Sequence, residues 1–593
     1  MRSSIGFGLA VVLSLLGIQA CGGSDGASGA PSTSNDADSS TDAQPEPNDA
    51  ADAGQDALQD AQANDAQEAG PDGSAPDSGG DADPDAGCTG TPAQCAHEAE
   101  ARTADRLGLI EDDESQLTAF LRDMPKGGDL HHHLSGAVYA ETMLDWAQTE
   151  GGYCIVSSSL SLGTSCGSST TQPIPNPGDA LYDKVIGAWS MEGFVPSATQ
   201  SGHDHFFATF GKYGAISGTH HGKMLADVMQ RAASENELYI ELMLTSNSTA
   251  QTLGQNEWSA HHDSASLTAA DLPTFYGELE ASSGLAGAVQ AVLNDVSQSE
   301  TQARQILGCD SAQPMPGCSV STRYMTYISR SGATPGVFAQ MVASYEAAIQ
   351  DPRLVALNLV GPEDNTGALS RYDVEMAMLG FLYSTYRVTN LSPLHVSLHA
   401  GELAAAYMPS SYDIGTIDHV RKAVQIAHAE RIGHGVDALQ ESDPQGLLQQ
   451  LKQNNVLVEI CLSSNAQILE VSGSHHPLGD FIGYGVPVAL ATDDQAVSRS
   501  SMAGEELRAV QDQQLGYLQL KRMARDSLEH AFVPGASLWQ SPDTAVPDCD
   551  PDTTGYLGQD PPPAACAAFL ATSERAKLQW ELEQRFHAFE AAQ

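Results

Sequence analysis

The sequence predicts an α/β fold: a (β/α)8, or TIM, barrel with insertions, preceded by a disordered acidic tether. Three observations carry that expectation. From about Leu117 onward, short apolar runs alternate with longer amphipathic stretches, and eight such runs can be traced. Most are apolar at successive positions, as strands buried on both faces of a parallel sheet must be. Five of the runs stop on His, Glu or Asp, where a barrel carries its chemistry. Finally, the composition breaks near Cys88, with almost no large apolar side chain before it.

The first twenty residues read as a secretory signal. Arg2 gives a positive start, and Ile5 to Leu16 is an apolar run too short for a comfortable membrane span. It ends at Ile18-Gln19-Ala20-Cys21-Gly22, which looks like a bacterial lipobox with Cys21 as the lipidated residue. An ordinary signal peptide with a coincidental Cys is the other reading. No later stretch reaches about 18 apolar residues, so no transmembrane helix is expected. Residues 21–98 form the expected tether. Between Cys21 and Cys88 there are sixteen Asp or Glu and no Lys or Arg. Such a chain cannot bury enough surface to offset its conformational entropy, and like charges extend it. The barrel is expected over 99–535, and a C-terminal extension over 536–593.

Charge bounds the partners. The 593 residues carry 27 Lys and Arg against 76 Asp and Glu, a net charge of -49. Without residues 1–87 the balance is 60 acidic against 26 basic residues, net -34. A surface this acidic argues against nucleic acid and against electrostatic attachment to anionic lipid. A neutral small molecule is not repelled. Contact with a membrane is expected only through the lipid anchor, and the oligomeric state is left open.

The ten cysteines support export. Cys21 is taken by the lipobox, and Cys461 sits alone in an apolar run. The other eight are near neighbours: Cys88 and Cys95, Cys154 and Cys166, Cys309 and Cys318, Cys549 and Cys566. Local disulfides are the simplest account, although spacing does not settle connectivity. None has the C-x-x-C spacing of a structural zinc site.

The eight strand candidates are Gly128–His131, Leu238–Thr245, Tyr324–Ser329, Leu354–Val360, His395–His399, Arg431–His434, Val456–Cys461 and Val486–Thr492. Helical stretches such as Pro335–Gln350, Tyr372–Tyr386 and Asp418–His428 lie between them. Strand counting alone leaves an open doubly wound sheet as the alternative.

The polar residues at strand ends decide more. His131 and His133 are two apart on a strand, so they share a face and can chelate one ion, while His132 points away. His203-Asp204-His205 repeats the spacing in a loop or helix and reads as surface or packing. His399 ends another strand, Glu402 follows it, and Asp493-Asp494 closes the last. Three His and one Asp from three strands suit a zinc ion with an open position for water.

Taken together, the motifs resemble a known family. Met124-Pro-Lys-Gly-Gly-Asp-Leu-His131-His-His133-Leu-Ser-Gly136, Ser397-Leu-His399-Ala-Gly-Glu402, Arg431-Ile-Gly-His434-Gly, Glu459-Ile-Cys461-Leu-Ser-Ser-Asn465 and Thr492-Asp493-Asp494 resemble the adenosine deaminase family of metal-dependent amidohydrolases. The match is ordered along about residues 117–535. Ser527-Leu-Glu-His-Ala-Phe-Val-Pro-Gly-Ala-Ser-Leu-Trp539 resembles the secreted growth-factor-like branch and its bacterial relatives.

The resemblance implies roles by position. His131, His133, His399 and Asp493 match the ligands of one zinc ion per chain. Glu402 matches the acid that protonates purine N1, and His434 the residue that orients or deprotonates the attacking water. Asp494 matches the group that hydrogen-bonds N7, and Gly361 the glycine whose N–H reaches N3. Phe206 and Phe210 look like an apolar lid. The chemistry needs these types: water is a poor nucleophile without a metal, and attack at C6 puts charge on N1 that an acid must neutralise. Glu402 must therefore rest protonated, which a dry pocket beside Asp493 and Asp494 favours.

One position departs from the family. Adenosine-specific members usually have Asp where this chain has Ser135, at the ribose hydroxyl. The expected activity is zinc-dependent deamination of adenosine, and of deoxyadenosine, to inosine and ammonia at the cell envelope. Adenine or an N6-modified purine as substrate, and a non-catalytic nucleoside-binding lipoprotein, are the alternatives. Gly22 is not the aspartate of inner-membrane retention, so the outer membrane is the expected location. Residues 146–185 and 536–593 are read as insertions or appendages.

Overall fold

A computed structural model describes residues 88–264, 266–551 and 555–593. The expected signal, the expected lipidation site Cys21 and the expected tether up to residue 87 lie outside the described residues.

Eight parallel strands follow one another around the sheet in chain order. They are β1 (Gly127–His133), β2 (Glu237–Ser246), β3 (Ser321–Ser329), β4 (Leu354–Val360), β5 (His395–Ala400), β6 (Arg431–His434), β7 (Leu457–Ile460) and β8 (Val488–Leu490). The ring closes through one residue past β8. Asp493 N–H donates to His131 O at 2.9 Å, and His133 N–H donates to Asp493 O at 3.0 Å. The open doubly wound alternative is thereby excluded, and the chain is a (β/α)8 barrel.

Several boundaries shift from those expected, for local reasons. The last strand is Val488–Leu490 rather than Val486–Thr492, because Pro487 has no N–H to offer the ladder. Its carbonyl still accepts Val458 N–H at 3.0 Å. Cys461 leaves the strand and precedes the helix Leu462–Leu469. The expected helix Asp418–His428 shortens to His419–Gln425, since Asp418 and His428 both sit at positive φ. The expected Tyr372–Tyr386 helix instead runs Thr366–Leu382 and relaxes into a π turn over Tyr383–Arg387.

Six helices frame the argument below. They are α1 (Pro92–Ile110), α2 (Glu114–Asp123), α3 (Gly202–Ser217), α4 (Leu462–Leu469), α5 (Tyr517–Glu529) and α6 (Glu574–Ala591). The tether expected to run to residue 98 gives way earlier, because α1 starts at Pro92. Thr91 and Gln94 form a reciprocal capping box there, Pro92 occupies the first turn, and Cys88 is bonded to Cys95.

The C-terminal extension is more than an appendage. Leu582, Phe586 and Phe589 of α6 belong to the main core, and the Phe589 ring lies 5.0 Å from Phe120 of α2. Lys521 of α5 donates to Glu590 at 2.6 Å and to Glu100 of α1 at 2.7 Å, tying three helices together. Leu538, Ala545, Leu570, Ala576 and Trp580, with Cys549 and Cys566, form a separate small cluster. All four neighbouring cysteine pairs are disulfides, and Cys461 is free and buried.

The 146–185 insertion has a structural use. Its short antiparallel strands, Cys154–Val156, Leu162–Gly163 and Thr171–Gln172, carry the Cys154–Cys166 bond. Ser159 O accepts Lys212 Nζ of α3 at 2.9 Å, and Leu160 O accepts Trp189 Nε1 at 2.7 Å. The insertion therefore backs the helix that presents Phe206 and Phe210. No described helix is long and apolar enough to cross a membrane.

Candidate active site

At the C-terminal ends of β1, β5 and β8, His131, His133, His399 and Asp493 bring four donor atoms within 4.8 Å of one another. His131 Nε2 and His133 Nε2 each lie 3.1 Å from His399 Nε2. Asp493 Oδ1 is 3.5 Å from His131 Nε2 and 3.3 Å from His133 Nε2. Four ligands at zinc bond lengths of about 2.0–2.1 Å on a tetrahedron stand about 3.3 Å apart.

The hydrogen bonds behind the rings say which nitrogens carry lone pairs. His131 Nδ1 faces Glu459 Oε2 at 2.7 Å, and His399 Nδ1 faces Asn358 Oδ1 at 2.8 Å. Both partners only accept, so the ring protons sit on Nδ1 and the two Nε2 lone pairs point at each other. Two lone pairs at 3.1 Å repel unless a proton or a metal ion lies between them, and the convergence of His133 and Asp493 on the same point fits a divalent metal. Burial holds His133 down to about 3 and His399 well below its usual range, which keeps both neutral. Burial also pulls on His131, but hydrogen bonds to Asp493 and Glu459 raise it to about 10. Without a metal His131 therefore holds a proton on Nε2, and the carboxylate behind the ring makes that nitrogen a strong donor to a metal that replaces the proton.

Glu459 is itself held inside the barrel. It accepts Arg431 Nε at 2.7 Å and Ser397 Oγ at 2.9 Å, and Arg431 Nη2 donates onward to Glu241 at 2.6 Å. All of these side chains are buried. Gly433 makes room for the His131 ring, since a Cβ there would meet its Cε1 at 2.5 Å. His132 points the other way, 3.1 Å from Asp129.

Beyond the four donors, Glu402 follows β5 and is 8% exposed. Burial first, then Asp493 and Glu363, push its carboxyl well above the usual carboxylate range, so it rests protonated. Glu363 also accepts the N–H groups of Gly401 at 3.1 Å and Glu402 at 2.9 Å, which sets the backbone at that corner. His434 ends β6 in a positive-φ conformation, and burial lowers it to about 4. Its Nε2 lies 3.7 Å from Glu402 Oε1. Asp494 is likewise raised well above its usual range, by burial and then by Asp493.

These groups share a cavity of about 270 Å³ with Ser135, Phe206, Phe210 and Gly361. Every catalytic, metal and substrate-contact candidate named from the sequence therefore lines it, apart from the fully buried His131 and His434, which lie against the lining residues His399 and Glu402. The cavity also takes in Phe207, Tyr327, Ser331, Val360 and Pro362, which sequence reasoning did not single out. Nor did it give a part to Glu459, Asn358 or Glu363. Glu459 lay within a quoted motif, and its place two residues before Cys461 on an alternating strand is the one signal that could have found it. Two roomier cavities, of about 380 and 360 Å³, lie away from this cluster, around His395 and His530 and around His221 and Asn247.

The repeated His-x-His on α3 is used for packing. His203 pairs with Asp364 at 3.2 Å and stacks on Tyr407. His205 faces the carbonyl oxygens of Gly187 and Ser190 and stacks on Phe194 at 4.1 Å.

The family model for adenosine deaminase matches residues 274–538. Over those residues the chain is similar to the adenosine deaminase family. The matched part holds His399, Glu402, His434, Asp493, Asp494 and Gly361, while His131, His133 and the lid phenylalanines precede it. Adenosine deaminase of Aliivibrio fischeri is 33% identical over 186 residues, 31% of this chain and 48% of that protein. The enzyme of Salmonella typhimurium is 32% identical over 177 residues, 30% of this chain and 49% of its own length. The matched segments thus span about half of these family members. Among solved structures, N6-methyl-AMP deaminase of Arabidopsis thaliana is 18% identical, with a TM-score of 0.43 over 70% of this chain and 94% of that one. Adenine deaminase of Arthrobacter aurescens is 16% identical, with a TM-score of 0.41 over 69% and 94%.

Proposed function

We propose that the protein is a zinc-dependent aminohydrolase that converts adenosine and deoxyadenosine to the corresponding inosine nucleoside and ammonia. One observation carries the reading: a buried, protonated Glu402 faces a three-His, one-Asp donor cluster across a cavity roofed by Phe206 and Phe210.

Zinc held by His131, His133, His399 and Asp493 would lower the pKa of water from 15.7 to about 7 and so supply a nucleophile at neutral pH. The chain's own residues do the rest. Glu402 gives its proton to N1 as charge develops on the ring, which requires the neutral carboxyl that burial enforces. Purine N7 is an acceptor, and the raised Asp494 carboxyl retains a proton to donate to it. The phenylalanines cover the ring faces and exclude water.

The cavity wall also favours a class of purine. No Lys or Arg lines it among the described residues, and Asp493, Asp494 and Glu402 do. A 5′-phosphate would bring a charge of about -1.5 to -2 without a counter-ion. A neutral nucleoside or free base is the fitting substrate, and Ser135 offers a hydroxyl toward the sugar.

Export and anchoring at the outer membrane through Cys21 form the cellular part of the proposal, and the four disulfides suit an oxidising compartment. Cys21→Ser should release the protein from the membrane fraction.

The test is turnover with metal content on the same sample. Protein with one zinc per chain should deaminate adenosine and leave AMP untouched, and Glu402→Gln should keep the zinc and lose activity. If zinc-loaded protein turned over no adenosine, deoxyadenosine, adenine or N6-methyladenosine, the proposal would fail.

A further inference from the structure

The network behind His434 has a direction, and the direction can be read without seeing a hydrogen atom. It starts at the backbone N–H of Leu478, which lies 3.2 Å from His476 Nδ1. A backbone N–H only donates, so His476 Nδ1 accepts and the ring proton sits on Nε2. That Nε2–H lies 3.1 Å from Asn465 Oδ1. The amide is thereby oriented, with its oxygen toward His476 and its nitrogen toward His434. Asn465 Nδ2 lies 2.9 Å from His434 Nδ1. An amide nitrogen only donates, so His434 Nδ1 accepts, and the proton of the neutral ring is on Nε2.

The arrangement is rigid. Asn465 and His434 are fully buried, and His476 is 3% exposed. Asn465 sits in α4, where its N–H donates to Cys461 O at 3.0 Å and its carbonyl accepts Val471 N–H at 3.2 Å. The His434 ring packs against His131 and His399, with centroids 5.0 and 5.3 Å away. Its Nε2 is buried and has no hydrogen-bond partner among the described residues. An oriented, unpartnered N–H is thus left beside Glu402 Oε1 and Asp493, at the edge of the donor cluster.

Resting on the function proposed above, we propose that Asn465 and His476 are positioning residues that hold His434 as the Nε2–H tautomer, so that His434 serves as a hydrogen-bond donor in the reaction rather than as a base. A bare Nε2 could take a proton from water; this one cannot, because its lone pair is already used and Nδ1 is occupied by the amide. What it can do is stabilise an acceptor that gains negative charge in the cavity, with no reorganisation needed at the moment of reaction. The two roles left open by the sequence, orienting and deprotonating, are separated by this network.

The test uses the full zinc-loaded chain labelled with 15N, the His434 ring nitrogens being assigned by difference from His434→Gln. The wild type should show Nε2 protonated and Nδ1 bare. Asn465→Asp keeps the volume but can only accept, so the proton should move to Nδ1. Its kcat should then fall by about 10²-fold or more, with KM changing far less, on the scale of wrong-tautomer and outer-shell substitutions. His476→Phe frees the amide to turn and gives a second route should Asn465→Asp fold poorly; it should show both tautomers and a smaller loss. A wild-type ring protonated on Nδ1, an unchanged His434 spectrum in either variant, or kept or raised turnover in Asn465→Asp would overturn the inference. An inactive wild type would instead remove the proposed function, while the ring spectrum would still judge the tautomer.

Discussion

Replacing Glu459 by Gln tests whether the barrel interior tunes the metal site from behind. Glu459 accepts three hydrogen bonds: from His131 Nδ1 at 2.7 Å, Arg431 Nε at 2.7 Å and Ser397 Oγ at 2.9 Å. Gln can keep its oxygen on Arg431 and Ser397, and its amide nitrogen then faces His131 Nδ1. Two donors meet, and the His131 proton is driven to Nε2, where the metal lone pair must be. Outer-shell changes of this kind cost about 10–100-fold in metal affinity, or about 1.4–2.7 kcal/mol. Arg431 remains buried and keeps Glu241 as its one carboxylate partner, so a stability loss of up to about 3–5 kcal/mol is expected as well. Chelator-competition titration gives the affinity, and urea unfolding at fixed free zinc gives the stability. Unchanged zinc affinity in a folded Glu459→Gln protein would refute the coupling between this carboxylate and the ligand.

Four further outcomes follow from the same structure. Glu402→Gln should retain zinc and lose about 10²–10⁴-fold in kcat, the usual worth of a general acid, as read by loss of adenine-ring absorbance. Glu375 is buried with no hydrogen-bond partner for either carboxylate oxygen, Arg371 standing 3.7 Å away, and burial outweighs that cation to raise it from 4.5 to about 7. Its proton is held more tightly in the folded chain, so its contribution to stability is complete below pH 4.5 and declines as the pH rises toward 7. That decline amounts to about 3 kcal/mol, and Glu375→Gln should remove it from unfolding curves measured between pH 5 and 8. Breaking the Cys549–Cys566 bond, which spans 17 residues, should cost about 2–4 kcal/mol. Limited proteolysis should then cut first in the small cluster around Leu538 and Trp580. Phe210→Ala should raise KM about tenfold with little change in kcat, since the ring covers the cavity and takes no proton.

Much of this site was legible because barrel chemistry is local in sequence even when it is distant in space. The candidate groups sit on the last residues of a strand or within four residues of its end: His131 and His133 on β1, His399 on β5 and Glu402 after it, His434 on β6, Asp493 and Asp494 after β8. The supporting residues were harder to read. Glu459 and Asn358 sit in mid-strand facing inward, where a lone polar residue has no distinguishing pattern. Asn465 and His476 are eleven residues apart, and nothing in the spacing says that His476 and His434 bracket the Asn465 amide. Boundaries shifted where a single backbone feature overrode an apolar run, as at Pro487 and at the positive φ of Asp418.

By itself the sequence determined the class of fold, the donor set and its order along the chain, because strand periodicity and side-chain chemistry act over a few residues. It also determined which cysteines were close enough to pair. Only the tertiary structure decided that α6 returns to the main core rather than trailing from it, and that the 146–185 insertion braces the helix carrying Phe206 and Phe210. It alone decided which nitrogen of each histidine faces the site. A tautomer is set by what stands behind the ring, and those partners arrive from other strands and helices once the barrel closes.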